Sequence, residues 1–433
     1  MTEIRAPAAP LVAFGRTYRS YALALLTLVY VFNFIDRQIV VILQESIRVD
    51  LGLMDWQLGL LSGFAFAIFY CTLGIPIARI ADRGNRSNII AVCIAIWSGM
   101  TALCGTAQAF WQLLLARIGV GVGEAGCSPP AHSIISDLYA PNQRSTALSI
   151  YNMGIYVGVF FGYLAGGWLD QALGWRVAFL AVGLPGLFVA ALVKLTLREP
   201  PRGLSERLES VADAVPLGQV FRELWNRRSF RHLSLAAGLH AFVSYGAGNW
   251  MPPFLARAHG MESGEISTWL GPIAAVCGAG GAFLGGWLTD RFGVRDVRWY
   301  IWIPAGAIVL SVPLQLFVYV WPDPTVALLV YTLPVVLGSM YLGPMLAMVH
   351  GMVQPRMRAF ASSILFFVLN LIGLGLGPLI TGVISDSLAV SMGLAEGLRW
   401  ALVIVTLANA WCVIHYLLGA RTLERDLLSR AVP

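Results

Sequence analysis

Twelve stretches of about 20 or more mostly apolar residues, each bounded by charges, Gly or Pro, divide this 433-residue sequence. A bilayer core about 30 Å thick is crossed by about 20 residues of helix. Backbone inside hydrocarbon must satisfy its own N–H and C=O groups, which leaves helices as the spanning form of such runs. The chain is therefore predicted to be an all-α membrane protein. The spans are expected at Tyr21–Ile47, Trp56–Ile80, Asn88–Ala107, Trp111–Ile135, Ser145–Leu169 and Trp175–Leu197, then at Leu233–Leu255, Ile266–Leu288, Trp299–Val320, Thr325–Val349, Ala359–Ile384 and Leu398–Leu418. Apolar residues make up 58% of the chain and charged residues 12%, against about 25% charged in soluble domains. That balance excludes a soluble globular protein and leaves no room for a water-soluble catalytic domain.

Orientation follows from the basic residues, which are retained on the cytoplasmic side. With the N-terminus inside, the opposite loops hold only Arg48, Arg176, Arg257 and Arg399, and Arg37 and Arg117 fall within spans. The remaining basic residues lie on the cytoplasmic side, so both termini are expected there. The long polar interruption Arg198–Arg231 splits the chain into six spans before and six after. Domains are accordingly expected at 1–197 and 232–433, joined by a cytoplasmic linker at 198–231. Within the linker, Leu217–Trp225 has the pattern of a short helix lying on the membrane surface, with a solvated tether as the alternative. The N-terminal segment is expected to run into an uncleaved first span rather than to form a signal peptide. The six cysteines, Cys71, Cys93, Cys104, Cys127, Cys277 and Cys412, fall inside apolar stretches without close pairing. They suggest packing residues and neither disulfides nor a metal cluster.

The exit of the second span reads ARIADRGNR (Ala78–Arg86), and that of the eighth reads GGWLTDRFGVR (Gly285–Arg295). Asp82-Arg83 is thus matched by Asp290-Arg291 six spans later, at corresponding helix exits. On these residues the sequence resembles the major facilitator superfamily, whose signature Gly-x-x-x-Asp-Arg-x-Gly-Arg follows the second span and recurs after the eighth. The second copy keeps Gly286, Asp290, Arg291 and Gly293 with Arg295 one place late, and the first has Ala78 and Asn85 where the signature has Gly. Its ending Asp-Arg-x-Asn-Arg is similar to the spinster-like branch. The resemblance implies two pseudo-symmetric six-helix bundles with the substrate site near the midplane between them. Small residues support close helix contacts: Gly154, Gly158, Gly162 and Gly166 are spaced four apart in the fifth span, and Gly373, Gly375, Gly377 and Gly382 recur in the eleventh.

Ionisable residues inside a span cost about 2.5–3.5 kcal/mol each on insertion scales, so each marks a functional candidate. Asp36 lies eleven residues from Ile47 and Glu124 thirteen from Trp111, which puts them roughly 17 and 20 Å below the outer end at 1.5 Å per residue. Arg117 is two turns from Glu124 on the same face, and Arg37 adjoins Asp36. The resemblance implies that the first, fourth, seventh and tenth spans line one chamber, so the four charges are expected to share it. Whether a carboxyl there carries a proton depends on burial set against the nearby Arg, a balance that changes with conformation. Asp36 and Glu124 are therefore the candidate proton-coupling residues. Arg37 and Arg117, which keep their charge, are the candidate counter-ions or anchors for an anionic head group. Gly-rich GVGVGEAGCSPPAH (Gly119–His132) leaves space beside Glu124, and Pro129-Pro130 weaken the helix there.

In the second half, His240, Tyr245 and Asn249 lie loosely on one helical face, and with Asn370 they are expected to line the substrate cavity. Asp82, Arg83, Arg86, Asp290 and Arg291 are expected to form a cytoplasmic gate. The function expected is a proton-coupled secondary transporter working by alternating access. The resemblance implies an amphipathic lipid such as a lysophospholipid or a sphingosine-phosphate-like molecule, with a drug or organic-anion exporter as the alternative. No hydrolase or metalloenzyme motif is present in the sequence, so no enzyme, cofactor or metal is expected. Partners are expected to be membrane lipids, protons and a small amphipathic substrate, not nucleic acid, with the chain a monomer in a bacterial inner membrane.

Overall fold

The computed structural model describes residues 14–202, 217–354 and 357–428, and the side chain of Asp82 lies outside what it describes. The expectations for the first residues and for the middle of the linker also lie outside the described residues. Everything described is helical or connecting, without strands. We label the membrane crossings α1 (Arg16–Ile42), α2 (Asp55–Ala81), α3 (Arg86–Cys104), α4 (Phe110–Glu124, resuming at Ser128–Leu138), α5 (Pro141–Leu173) and α6 (Trp175–Thr196). The second series is α7 (Arg228–His259), α8 (Ser263–Gly293), α9 (Trp299–Val320), α10 (Pro324–Gly351), α11 (Phe360–Met392) and α12 (Leu394–Leu428).

Ten of these helices are long and apolar enough to cross a bilayer on those grounds alone. The other two, α4 and α7, carry Arg117 and Glu124, and His240 and Asn249, in the interior. The fourth crossing breaks after Glu124 because Pro129 and Pro130 have no N–H to continue the ladder, and the chain restarts at Ser128 with proline in its first turn, where none is needed. The seventh runs through Pro252 and Pro253 and keeps His240 and Asn249 buried. The first apolar run proves shorter than its sequence span: α1 ends at Ile42 and Gln44–Leu51 forms a separate polar helix closed by Gly52 in the left-handed conformation. Short π-helical turns interrupt α2 at Leu60–Phe64, α8 at Ile273–Cys277 and α11 at Leu369–Leu376.

The spaced glycines pack as small-residue faces. A Cβ on Gly158 would come within 2.5 Å of the Val31 carbonyl and one on Gly162 within 2.7 Å of Gln38 Cβ, so the α5 face is pressed on α1 inside the first half. Other glycines let the two halves touch. Gly59 and Gly63 of α2 abut the α11 backbone at Pro378 and Leu374, Gly382 abuts Asp55, and Gly167 of α5 abuts Ser263 of α8. All these cross contacts lie toward one end of the bundle, here termed the far end. The start of α1 and the end of α12 lie at the other, the terminal end.

The linker helix Leu217–Asn226 is amphipathic. Val220 and Leu224 are fully buried against the second half with Phe230 and Leu233, while Phe221 and Trp225 stack outward at 5.4 Å.

Candidate functional site

A cavity of about 330 Å³ lies between the halves. Arg37 and Gln38 of α1, Phe66 of α2 and Arg117 of α4 line it on one side; His240, Tyr245 and Asn249 of α7, with Tyr319 of α9 and Tyr331 of α10, line it on the other. Its two charged lining residues are both Arg. Asp36 and Glu124, 2% and 1% exposed, do not line it but sit behind the arginines. The shared chamber expected from depth is thus divided by azimuth: cations face the cavity and carboxylates face the packed first half.

The carboxylates and cations remain connected. Arg37 Nε donates to Glu124 Oε2 at 2.7 Å. Three rings hold the same guanidinium, with centroids at 5.1 Å (Phe34), 4.9 Å (Phe66) and 4.7 Å (Tyr70), an arrangement that favours a cation whichever partner it has. Arg117, 1% exposed, lies 5.6 Å from the Phe66 ring, and its Nε and Nη1 have no partner within the protein. Glu124 Oε1, Asp36 Oδ1 and Asn33 Oδ1 are likewise buried without a partner. Buried charged groups with unused hydrogen-bonding capacity are costly and are kept where they act on something else. Here the unused capacity is two guanidinium N–H groups and carboxylate oxygens that can take a proton.

In the second half His240 is 2% exposed, with Nε2 2.8 Å from the Gly338 carbonyl and Nδ1 3.2 Å from Asn409 Oδ1. The Asn249 carbonyl accepts from Gln44 Nε2 at 3.1 Å, tying α7 to the end of the first crossing. Asn370 falls in the π-helical turn of α11 and is not among the cavity-lining residues.

The far end is closed by an ion network that sequence reasoning missed. Arg257 of α7 reaches across to the first half, where Nη1 and Nη2 donate to Asp55 at 2.7 and 2.8 Å and Nε donates to Glu45 at 2.7 Å. The Asp55 side chain is fully buried and also accepts from Ser385 Oγ of α11 at 2.6 Å. Asp386 accepts the N–H groups of Asp55 and Trp56 at 3.0 and 2.8 Å, so a carboxylate from one half caps the first turn of a helix in the other. Trp168 Nε1 donates to Thr268, and Gln171 bonds Glu262, closing α5 on α8. In sequence these residues look like ordinary charges at membrane boundaries. The available signal was that this side has very few basic residues, so a lone Arg257 beside acidic neighbours stands out.

At the terminal end Arg86, Asp290 and Arg291, three of the residues expected to form a gate, are engaged within their own halves. Arg86, almost fully buried, donates to Asp137 (2.5 Å), Glu199 (2.6 Å), Ser133 (2.7 Å) and the Pro200 carbonyl (2.7 Å), which pins the start of the linker to α3 and α4. Arg202 donates to the Ala81 carbonyl at 2.7 Å, capping the α2 exit. Asp290 accepts from Tyr300 at 2.7 Å, Arg291 lies 6.0 Å over Trp287, and Arg83 is exposed. No group of three or more metal-ligating side chains occurs among the described residues.

Comparison with known proteins gives a consistent picture. The model of the Major Facilitator Superfamily matches residues 26–378. The fold superposes with a TM-score of 0.87 on the structure of a bacterial homolog to the human lysosomal transporter Spinster, in an inward-facing and occupied conformation; the two are 35% identical, over 95% of this chain and 99% of that one. An "MFS-type efflux pump" of Mycolicibacterium smegmatis is 34% identical over 95% of this chain and 94% of its own length. The sphingosine-1-phosphate transporter SPNS2 of Danio rerio is 27% identical over 90% and 80%.

Proposed function

The chain belongs to the Major Facilitator Superfamily as a Spinster-like, multi-pass membrane transporter, and on that premise we propose that it moves an amphipathic anion, of lysophospholipid or sphingosine-phosphate type, coupled to protons. The observation that carries this reading is the Arg37–Glu124 pair behind a cavity whose charged lining is Arg37 and Arg117. A proton on Glu124 removes the charge partner of Arg37 and leaves the guanidinium, still caged by Phe34, Phe66 and Tyr70, free to take a phosphate oxygen beside Arg117. Proton and anion then favour one another's binding, a reciprocal coupling. Asp36, within electrostatic reach of Glu124 and both arginines, is the second coupling carboxyl. The apolar and aromatic walls suit a hydrocarbon tail.

The halves, 1–197 and 232–433, would rock about this site as units, with the far end facing outward and both termini in the cytoplasm of a bacterial cell. The likeness to a relative captured facing inward, together with the far-end network, supports that orientation. Closing the terminal end would release Arg86, Asp290 and Arg291 from their present partners to bridge the halves, together with Asp82. The likeness to an efflux pump favours a second reading, export of a drug or organic anion.

Purified protein in liposomes, given labelled lysophosphatidylglycerol and an imposed pH gradient, tests the proposal. Gradient-dependent flux is expected in the wild type and lost in Asp36→Asn. Flux that keeps its pH dependence in Asp36→Asn removes that carboxyl from coupling, and no wild-type flux in either direction transfers the proposal to the second reading.

A further inference from the structure

We propose that His240 is a proton-carrying residue of the second half, whose state is read by the side-chain amide of Asn409 and passed to the joint in α10 at Gly338. Nε2 faces the Gly338 carbonyl at 2.8 Å, and a carbonyl can only accept, so Nε2 carries a hydrogen in every state. Nδ1 faces Asn409 Oδ1 at 3.2 Å. A neutral imidazole with its hydrogen on Nε2 would set a lone pair against that oxygen. An imidazolium, both of whose nitrogens donate, would satisfy that contact. The neutral form is accommodated by turning the Asn409 amide over, so that its NH₂ donates to Nδ1. Asn409 is fully buried and its Nδ2 has no partner, so a donor is at hand for that second arrangement.

The joint is built to register the change. The first helical stretch of α10 ends at Gly338, and Ser339–Tyr341 form a tighter 3-10 turn before the helix resumes at Leu342. The Gly338 carbonyl sits where the helix tightens into that turn, and His240 bonds it from a neighbouring helix. Gly338 also lies 3.7 Å, at its ideal Cβ, from the imidazole, so the ring rests on the backbone at the turn. Tyr341 of the same turn packs edge-on against the ring, at 4.7 Å between centroids.

The neighbouring titratable groups are few. Tyr341 comes from α10, Cys412 and Tyr416 from α12, and Tyr245 from α7 itself. Arg37 and Arg117 line the same cavity from α1 and α4. A charged His240 therefore adds a third cation to a cavity already lined by two arginines. Proton uptake in the second half would match proton uptake at Glu124 in the first, so each half would carry its own proton-responsive group. This goes beyond the proposed coupling site, and its test uses no substrate, so failure of the lipid reading leaves it standing or falling on its own.

The experiment is nitrogen-15 magnetic resonance of the full chain in phosphatidylcholine nanodiscs, with labelled histidine and asparagine side chains. Comparing wild type with His240→Gln assigns the imidazole signal, since Gln keeps a donor toward Gly338 and cannot carry the proton. As the pH is raised from 5 to 9, Nδ1 is expected to change from protonated to bare, with the Asn409 amide signals changing over the same interval. In Asn409→Leu the transition should move by at least tenfold in proton concentration. An Nδ1 that keeps one state across the range, or a transition that leaves the Asn409 signals still, overturns the proposal. Should His240→Gln fail to fold, the Asn409→Leu comparison assigns the signal as the one among six histidines that moves.

Discussion

Replacing Arg257 with Met should open the far end, and the size of the effect follows from what the side chain holds. Its guanidinium donates three charge-assisted bonds, two to Asp55 and one to Glu45, and the side chains of Arg257 and Asp55 are 5% and 0% exposed. Removing one member of a buried pair costs about 3–5 kcal/mol because the other charge is left buried and unpaired. Met preserves most of the alkyl packing, so the loss is chiefly electrostatic. The cost falls on the conformation in which the halves meet at this end, since separating them returns Asp55 to water. At 1.4 kcal/mol per tenfold, the lower figure shifts the equilibrium by about 100-fold, so a protein held about ten to one in the sealed state would become about one to ten. Spin labels at Met54 and Val390, both exposed at the far end and on opposite halves, with Cys277→Ser in the background, report the change. Pulsed electron resonance should show the short distance of the wild type replaced by a longer one. Adding Asp55→Asn to Arg257→Met should recover part of the short distance by removing the orphaned charge. A distance distribution unchanged by Arg257→Met would refute the assignment of this network as the seal.

Further perturbations test other parts of the account. Gly59→Leu inserts a side chain where α2 meets the α11 backbone at Pro378 and should separate the same spin labels, whereas Gly286→Leu, which meets nothing within 4 Å, should not. Arg117→Leu should weaken binding of lysophosphatidylglycerol at least tenfold by calorimetry, consistent with loss of a charged hydrogen bond worth about 1.5–3 kcal/mol, and leave a cationic dye unaffected. Tyr70→Leu removes one ring of the Arg37 cage and should weaken the same binding by about 1–2 kcal/mol, the range for a desolvated cation–π contact. Arg86→Met leaves Asp137 and Glu199 without their buried partner, and thermal unfolding should occur several degrees lower, with a loss of about 3 kcal/mol or more.

The sequence and the structure agree where the information is local. Twelve apolar runs and a break at Pro129-Pro130 follow from length and composition, and the shared level of Asp36 and Glu124, which bonds Arg37, follows from the rise of a helix. What resisted was azimuth and partnership. Depth placed Asp36 and Glu124 beside Arg37 and Arg117, but the rotation of α1 and α4 in the packed half turns the carboxylates away from the cavity, and no single-helix pattern contains that rotation. The far-end seal joins Arg257 to Asp55 across 202 positions and Asp386 to Trp56 across 330, and each residue alone resembles a charge at a membrane boundary. The expected gate was legible as a repeated Asp-Arg motif, yet Arg86 spends its bonds on the linker because this conformation brings Glu199 and Pro200 to it.

The central claim is that protonation behind the cavity and anion binding within it favour each other, so that both move together. Liposomes holding a pH-sensitive dye and receiving lysophosphatidylglycerol on one side measure this directly, for wild type and Glu124→Gln. The account predicts that lipid entry acidifies the lumen in the wild type, and that Glu124→Gln binds the lipid without moving protons. Alkalinisation on lipid entry, or proton movement undiminished in Glu124→Gln, would contradict it.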